Sequence, residues 1–103
     1  MSVIFHVLHE EYERLQETEA AYAKAIADMP RGTPRIHQRG GNQYLYLEYR
    51  DGSRVVHDYV GPKGGEKAKE ILEKIAQRKR YEKLLKETKA ALKDVRKALR
   101  GKI

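Results

Sequence analysis

Phe5, Leu8, Tyr12, Leu15, Glu19, Tyr22, Ile26 and Met29 recur at alternating spacings of three and four. That period puts one glutamate and seven apolar or aromatic side chains on a single helical stripe, and it predicts a helix over residues 1–30. Five alanines between positions 20 and 27 raise helix propensity and leave room for a close neighbour. Pro30 and the Arg31-Gly32-Thr33-Pro34 stretch end the helix.

The period then changes. Tyr44 to Arg50 is rich in strand formers, Asp51-Gly52 reads as a two-residue hairpin turn, and Ser53 to Val60 returns as a partner strand. Arg35 to Arg39 reads as a preceding strand that turns at Gly40-Gly41-Asn42. A turn at Asp51-Gly52 sets Leu47 opposite Val56 and Tyr46 opposite His57. On this pairing Ile36, Leu45, Leu47, Tyr49, Val56 and Val60 share one face. Arg35, His37, Arg39, Tyr44, Tyr46, Glu48, Arg50, Val55, His57 and Tyr59 share the other.

Helical spacing resumes after Gly61-Pro62-Lys63-Gly64-Gly65 and predicts a long helix from Glu66 to Arg100, with Gly101 as its stop. Its apolar marks are Ala68, Ile71, Leu72 and Ile75, then Tyr81, Leu85, Thr88, Leu92, Val95 and Leu99. The stripe slips at Arg78-Lys79-Arg80, where a clean heptad needs another apolar residue. The two helices would be ~40 and ~52 Å long, more than a three-stranded sheet can cover. The expected fold is therefore α+β in the order α-β-β-β-α. It is a single domain over 1–103: a long antiparallel, coiled-coil-like helical pair, with the small meander sheet of residues 31–62 at one end. Setting Met29 level with Ala68 brings Leu15 near Glu82 and Phe5 near Leu92. Val95 and Leu99 then overhang, and an overhanging apolar stripe predicts a homodimer.

Charge is unevenly spread. The 103 residues hold 22 Lys+Arg and 15 Asp+Glu, a net of +7. Residues 1–30 carry two bases and six acids, residues 31–62 five bases and three acids, and the basic last helix region, 63–103, fifteen bases and six acids. The surplus favours a polyanionic partner. No run of ~18 uncharged apolar residues exists, so no transmembrane helix is expected. The start lacks a basic n-region and a full apolar core, so it does not read as a secretory signal, and the expected location is cytoplasmic. With no cysteine there is no thiol chemistry and no Cys-type zinc site.

The outward sheet face is the leading candidate site. Arg35, His37, Arg39, Tyr44, Tyr46, Arg50, His57 and Tyr59 alternate onto it. Such surfaces bind single strands, because bases stack on aromatic faces while arginine neutralises phosphates. A small three-stranded sheet also fits a DNA major groove, where arginine reads guanine edges. The plain alternative is a solvent face whose tyrosines stabilise cross-strand pairs. Lys86, Lys89, Lys93 and Lys97, with Arg96 and Arg100 nearby, form a second basic stripe. Lys89–Lys93 and Lys93–Lys97 repel at i,i+4 by ~0.2–0.5 kcal/mol each in an isolated helix. Phosphates would relieve that repulsion, and so would the acidic first helix. The glycine-rich loop before the last helix fails the P-loop pattern, since Glu66 and Ala68 flank Lys67 and no Ser or Thr follows it. His6, His9, Glu10 and Glu13 sit on adjacent turns, but their spacing matches no metal motif. No metal, cofactor or catalytic set is expected, and the chain does not read as an enzyme.

Tyr44-Leu45-Tyr46-Leu47-Glu48-Tyr49-Arg50-Asp51-Gly52, then Val55-Val56 and Tyr59-Val60-Gly61-Pro62, then a Glu/Lys-rich helix, resembles a group of small prokaryotic helix–sheet–helix proteins of unknown function. Those are associated with mobile elements or toxin-like loci. The hairpin is also similar to N-terminal DNA-binding regions of insertion-sequence transposases and tyrosine integrases. The resemblance implies a non-catalytic accessory or regulatory module that binds nucleic acid, DNA in preference to RNA. The alternative is a protein-interaction module, an antitoxin, adaptor or inhibitor, that grips a protein partner through its helical pair.

Overall fold

The computed structural model describes residues 3–100. It is an α+β protein with helix α1 (Val3–Ala27), strands β1 (Thr33–Arg39), β2 (Asn42–Asp51) and β3 (Arg54–Pro62), and helix α2 (Glu66–Arg100). The strands form one antiparallel sheet in the order β1-β2-β3. Gly101, expected as the stop of the last helix, lies outside the described residues.

The chain makes two compact units, and α2 contributes to both. Residues 29–79 form the sheet unit. In it Leu45, Leu47 and Val60 from the sheet are buried with Ala68 and Ile75 from the first turns of α2, and Ile71 packs against them. Alternation explains the choice. Leu45 and Leu47 point to one face of β2, and Ala68, Ile71 and Ile75 recur at helical spacing to meet them. Ile36 is on the same face, directly opposite Leu45, but it belongs to edge strand β1 and remains 45% exposed.

The β2–β3 register corrects one expectation. The two-residue loop is Gly52-Ser53, closed by Asp51 opposite Arg54, and not Asp51-Gly52. Only Gly52 of this loop has positive φ, at 65°. That is the type II′ pattern, with glycine first; a loop of Asp51 and Gly52 would hold an aspartate in the left-handed region. Leu47 therefore faces Asp58 rather than Val56, and Tyr46 faces Tyr59 rather than His57. From Asp51 to Tyr46 the pairing moves by two residues, so these side chains and their partners keep their predicted faces. A bulge between Leu45 and Tyr46 then leaves Val60 as the extra residue of β3, and its side chain is buried.

The second unit comprises α1 and the remainder of α2, and among its described residues Leu15, Thr88, Leu92 and Leu99 are buried. The helices run antiparallel: Tyr22 meets Tyr81 with ring centroids 5.7 Å apart, and Arg96 Nε donates to the Tyr12 hydroxyl at 3.3 Å. Thr88 is buried without cost to its hydroxyl, which donates to the Leu84 carbonyl at 2.8 Å. The helix pairing differs from the predicted one by about one heptad, ~10 Å. Phe5 lines a groove with Leu99 and Arg96, not with Leu92. Leu99 is buried within its own protomer, so the overhang that predicted a dimer does not exist.

The physical reason is that the sheet occupies α2 from residue 66 to residue 79. Arg78 Nη1 donates to the Met29 carbonyl at 3.2 Å, so Met29 lies within reach of the Arg78 side chain and is not level with Ala68. The slip in the apolar stripe at residues 78–80 marks the place where α2 passes from covering the sheet to pairing with α1.

Leu45→Ala should cost about 2–5 kcal/mol in urea unfolding, because a fully buried leucine leaves a cavity. Ile36→Ala, on the same face but half-exposed, should cost less than about 1 kcal/mol. Equal losses would mean that α2 covers β1 as well as β2.

Candidate nucleic-acid interface

Strand alternation delivers the predicted outward face intact. The register sets Arg35 beside Tyr46 and Tyr46 beside Tyr59 in one row across the sheet. His37 and Tyr44 form the next row, and Glu48 and His57 the row on the other side. Arg39 closes one end opposite Asn42, and Arg50 the other end opposite Val55. The helix side of the sheet is the opposite face, so this surface is open: Arg35, Arg39, Arg50, His57 and Tyr59 are exposed, and His37, Tyr44 and Tyr46 are half-buried.

The rings form one connected cluster. Tyr46 contacts His37 at 4.6 Å and Tyr59 at 5.3 Å between centroids. Tyr59 reaches Tyr44 at 6.1 Å, and His37 reaches His57 at 6.0 Å. Interplanar angles run from 53° to 80°, so the rings lean edge to face, the favourable arrangement for aromatic quadrupoles. Such cross-strand pairs stabilise the sheet by ~0.2–1 kcal/mol each.

The cations are not equivalent. Arg35 Nε lies 3.3 Å from Glu48 Oε2, and His57 Nδ1 lies 3.9 Å from the same oxygen. The centre of the face thus holds one carboxylate matched by its own arginine. Arg39 and Arg50 stand at the two ends, exposed, with no ion pair among the described residues. Alternation alone groups the three arginines, and only the register shows that Glu48 holds one of them. Its signal was present: Arg35 and Glu48 share the face and lie on neighbouring strands.

The inner edge of the sheet carries polar chemistry that the pattern did not reveal. Asp58 shares the helix-side parity of Val56 and Val60, and Tyr49 Oη donates to its Oδ2 at 2.9 Å. The Arg31 guanidinium lies 4.6 Å from the centroid of the Tyr49 ring. Donation to the carboxylate holds the Tyr49 hydroxyl above the ordinary phenol range, because the hydrogen bond and the nearby negative charge both favour the protonated form.

Lys86, Lys89, Lys93 and Lys97 are exposed on α2, within the helical unit. They span an arc of roughly 80° along one flank of α2, beside the buried line of Thr88, Leu92 and Leu99. The glycine-rich loop closes as a simple turn, with the Gly65 amide donating to the Pro62 carbonyl at 3.0 Å. Among the described residues no cluster of three His, Asp or Glu side chains forms a metal site, and no helix is long and apolar enough to cross a membrane.

Fold and surface define a small α+β protein with an open basic-aromatic sheet face. Residues 8–70 match a family described as a domain of unknown function (DUF6788), and the chain belongs to that family. The matched stretch contains the whole sheet and stops before the lysine stripe. No curated protein and no solved structure matches the chain.

Asp58→Asn should bring the Tyr49 hydroxyl back toward the ordinary phenol range, seen as tyrosinate absorbance appearing at lower pH than in the parent. The parent contribution to stability is present below the phenol's unfolded value and fades as pH rises through the higher folded one. An unchanged absorbance titration would show that the Asp58 bond is not kept in solution.

Proposed function

We propose that this chain is a non-catalytic nucleic-acid-binding module, with DNA as the leading target, and that it binds through the outward face of its sheet. One observation carries the reading: five aromatic side chains form a connected, open cluster whose two ends are each marked by an exposed arginine without an ion-pair partner. A surface of this kind offers π-faces and edges to bases and point charges to phosphates. The lysine stripe of α2 adds sequence-independent, salt-sensitive attraction. The link to mobile elements or defence loci rests on the resemblance of the Tyr44–Gly52 hairpin and its flanks, and it belongs to this proposal.

A specific feature favours the protein-interaction alternative as a second reading. Val3, Ile4 and Val7 are 78%, 71% and 57% exposed in the first turns of α1, on the side of the helix turned away from the groove that Phe5, Tyr12 and Leu99 line. A protein partner of an adaptor or antitoxin would cover that end.

Gel shifts and anisotropy with short oligonucleotides separate the two. Log affinity should fall linearly with log salt, and replacing Arg39 and Arg50 together by alanine should reduce that slope by about 1.4 for a single strand or 1.8 for a duplex. The fold should persist, since both side chains are exposed. Unchanged binding in this variant moves the interface off the sheet, and no retention at low salt leaves the protein-partner reading in its place. Val3→Ser with Val7→Ser should leave nucleic-acid affinity within about twofold while removing the apolar end.

A further inference from the structure

The rows of the outward face have a spacing that selects among nucleic acids. Resting on the nucleic-acid reading above, we infer that the face is built for an unpaired, unstacked single strand of about five nucleotides lying along the strands, and not for a duplex.

Side chains on one face of an antiparallel strand repeat every second residue, about 6.8 Å. From the hairpin end, the rows are Arg50 with Val55, Glu48 with His57, Tyr46 with Tyr59, Tyr44 with His37, and Arg39 with Asn42. Three consecutive rows therefore carry rings, and an exposed arginine bounds them at each end. The four steps from Arg50 to Arg39 span about 27 Å. Bases in a stacked helix rise only ~3.4 Å per step, half of the row spacing. A duplex laid on this face brings its bases past two to a row, with their faces covered by one another. An opened strand brings one base to each ring row.

The chemistry within the rows agrees. A duplex shows only base edges in its grooves, and arginine is the side chain that reads guanine edges. Arg35 is the arginine at the middle of the face, and Glu48 already holds it at 3.3 Å. The same carboxylate disfavours a phosphate over the centre while it accepts base amino groups. Phosphates are thus directed to Arg39 and Arg50 at the ends, and bases to the rings between them. Tyr59 is 56% exposed, which leaves much of its ring free for a base.

Fluorescence anisotropy of the full chain, with labelled single strands of about three, five and eight nucleotides and a duplex longer than the sheet, tests this. Affinity should climb at least tenfold from three to five nucleotides and then flatten, and the duplex should bind more weakly than the five-nucleotide strand. Tyr59→Ala should lose roughly 5–150-fold for single strands, while Tyr59→Phe, which keeps the ring, should stay close to the parent. Circular dichroism confirms that each variant is folded, and the high exposure of Tyr59 makes it the safest ring to remove. Parallel DNA and RNA strands distinguish the two sugars. Tighter binding to the duplex, or a folded Tyr59→Ala with parent affinity, overturns the single-strand inference while nucleic-acid binding stands. Failure of every oligonucleotide to bind at low salt overturns both.

Discussion

Leu45 and Leu47 are two residues apart on β2, and both are buried in the cluster that the first turns of α2 complete. Everything on the other side of the sheet depends on that burial. Strand geometry allows no independent choice: with the two leucines inward, Tyr44, Tyr46 and Glu48 must point outward. Their neighbours Arg35, His37, His57 and Tyr59 follow through the ladder. A slip of a single residue would put tyrosine hydroxyls into an apolar cluster and leucines into water, so the aromatic surface and the core are specified together.

A 103-residue chain has little apolar material to spend, and α2 serves two purposes with one helix. Ala68, Ile71 and Ile75 cover the sheet, and Thr88, Leu92 and Leu99 face inward in the helical unit. Ala68 is fully buried and brings helix and sheet close, while the larger residues of the second stretch suit a helix partner. The Arg78–Met29 bond sits at the change between them. The polar run Arg78-Lys79-Arg80 is thus the seam between two kinds of packing in one continuous helix.

The outward face is chemically divided as well. Its centre is aromatic and locally neutral, because Glu48 engages Arg35, and its uncompensated charge is held at the ends by Arg39 and Arg50. A surface laid out only for solubility has no need to separate rings from charges in this way. Cross-strand aromatic packing stabilises the sheet in any case, so the same tyrosines contribute to the fold whatever they contact outside it.

Much of this is legible in the amino-acid sequence. Period and turn chemistry set the order of the five elements and their faces, since those properties are local: 3.6 residues per helical turn and two per strand repeat. The turn at Gly52-Ser53 escaped because Asp51-Gly52 is also an acceptable loop and the two differ only in which residue takes positive φ. The sequence by itself determined the elements, the inward leucines and the membership of the aromatic face. Only tertiary structure decided that the sheet takes residues 66–79 of α2, that the helix pairing shifts by a heptad to bury Leu99, and that Glu48 claims Arg35. These are choices among partners far apart in the chain, and they are made by competition for the same apolar or charged surface, which no local period records.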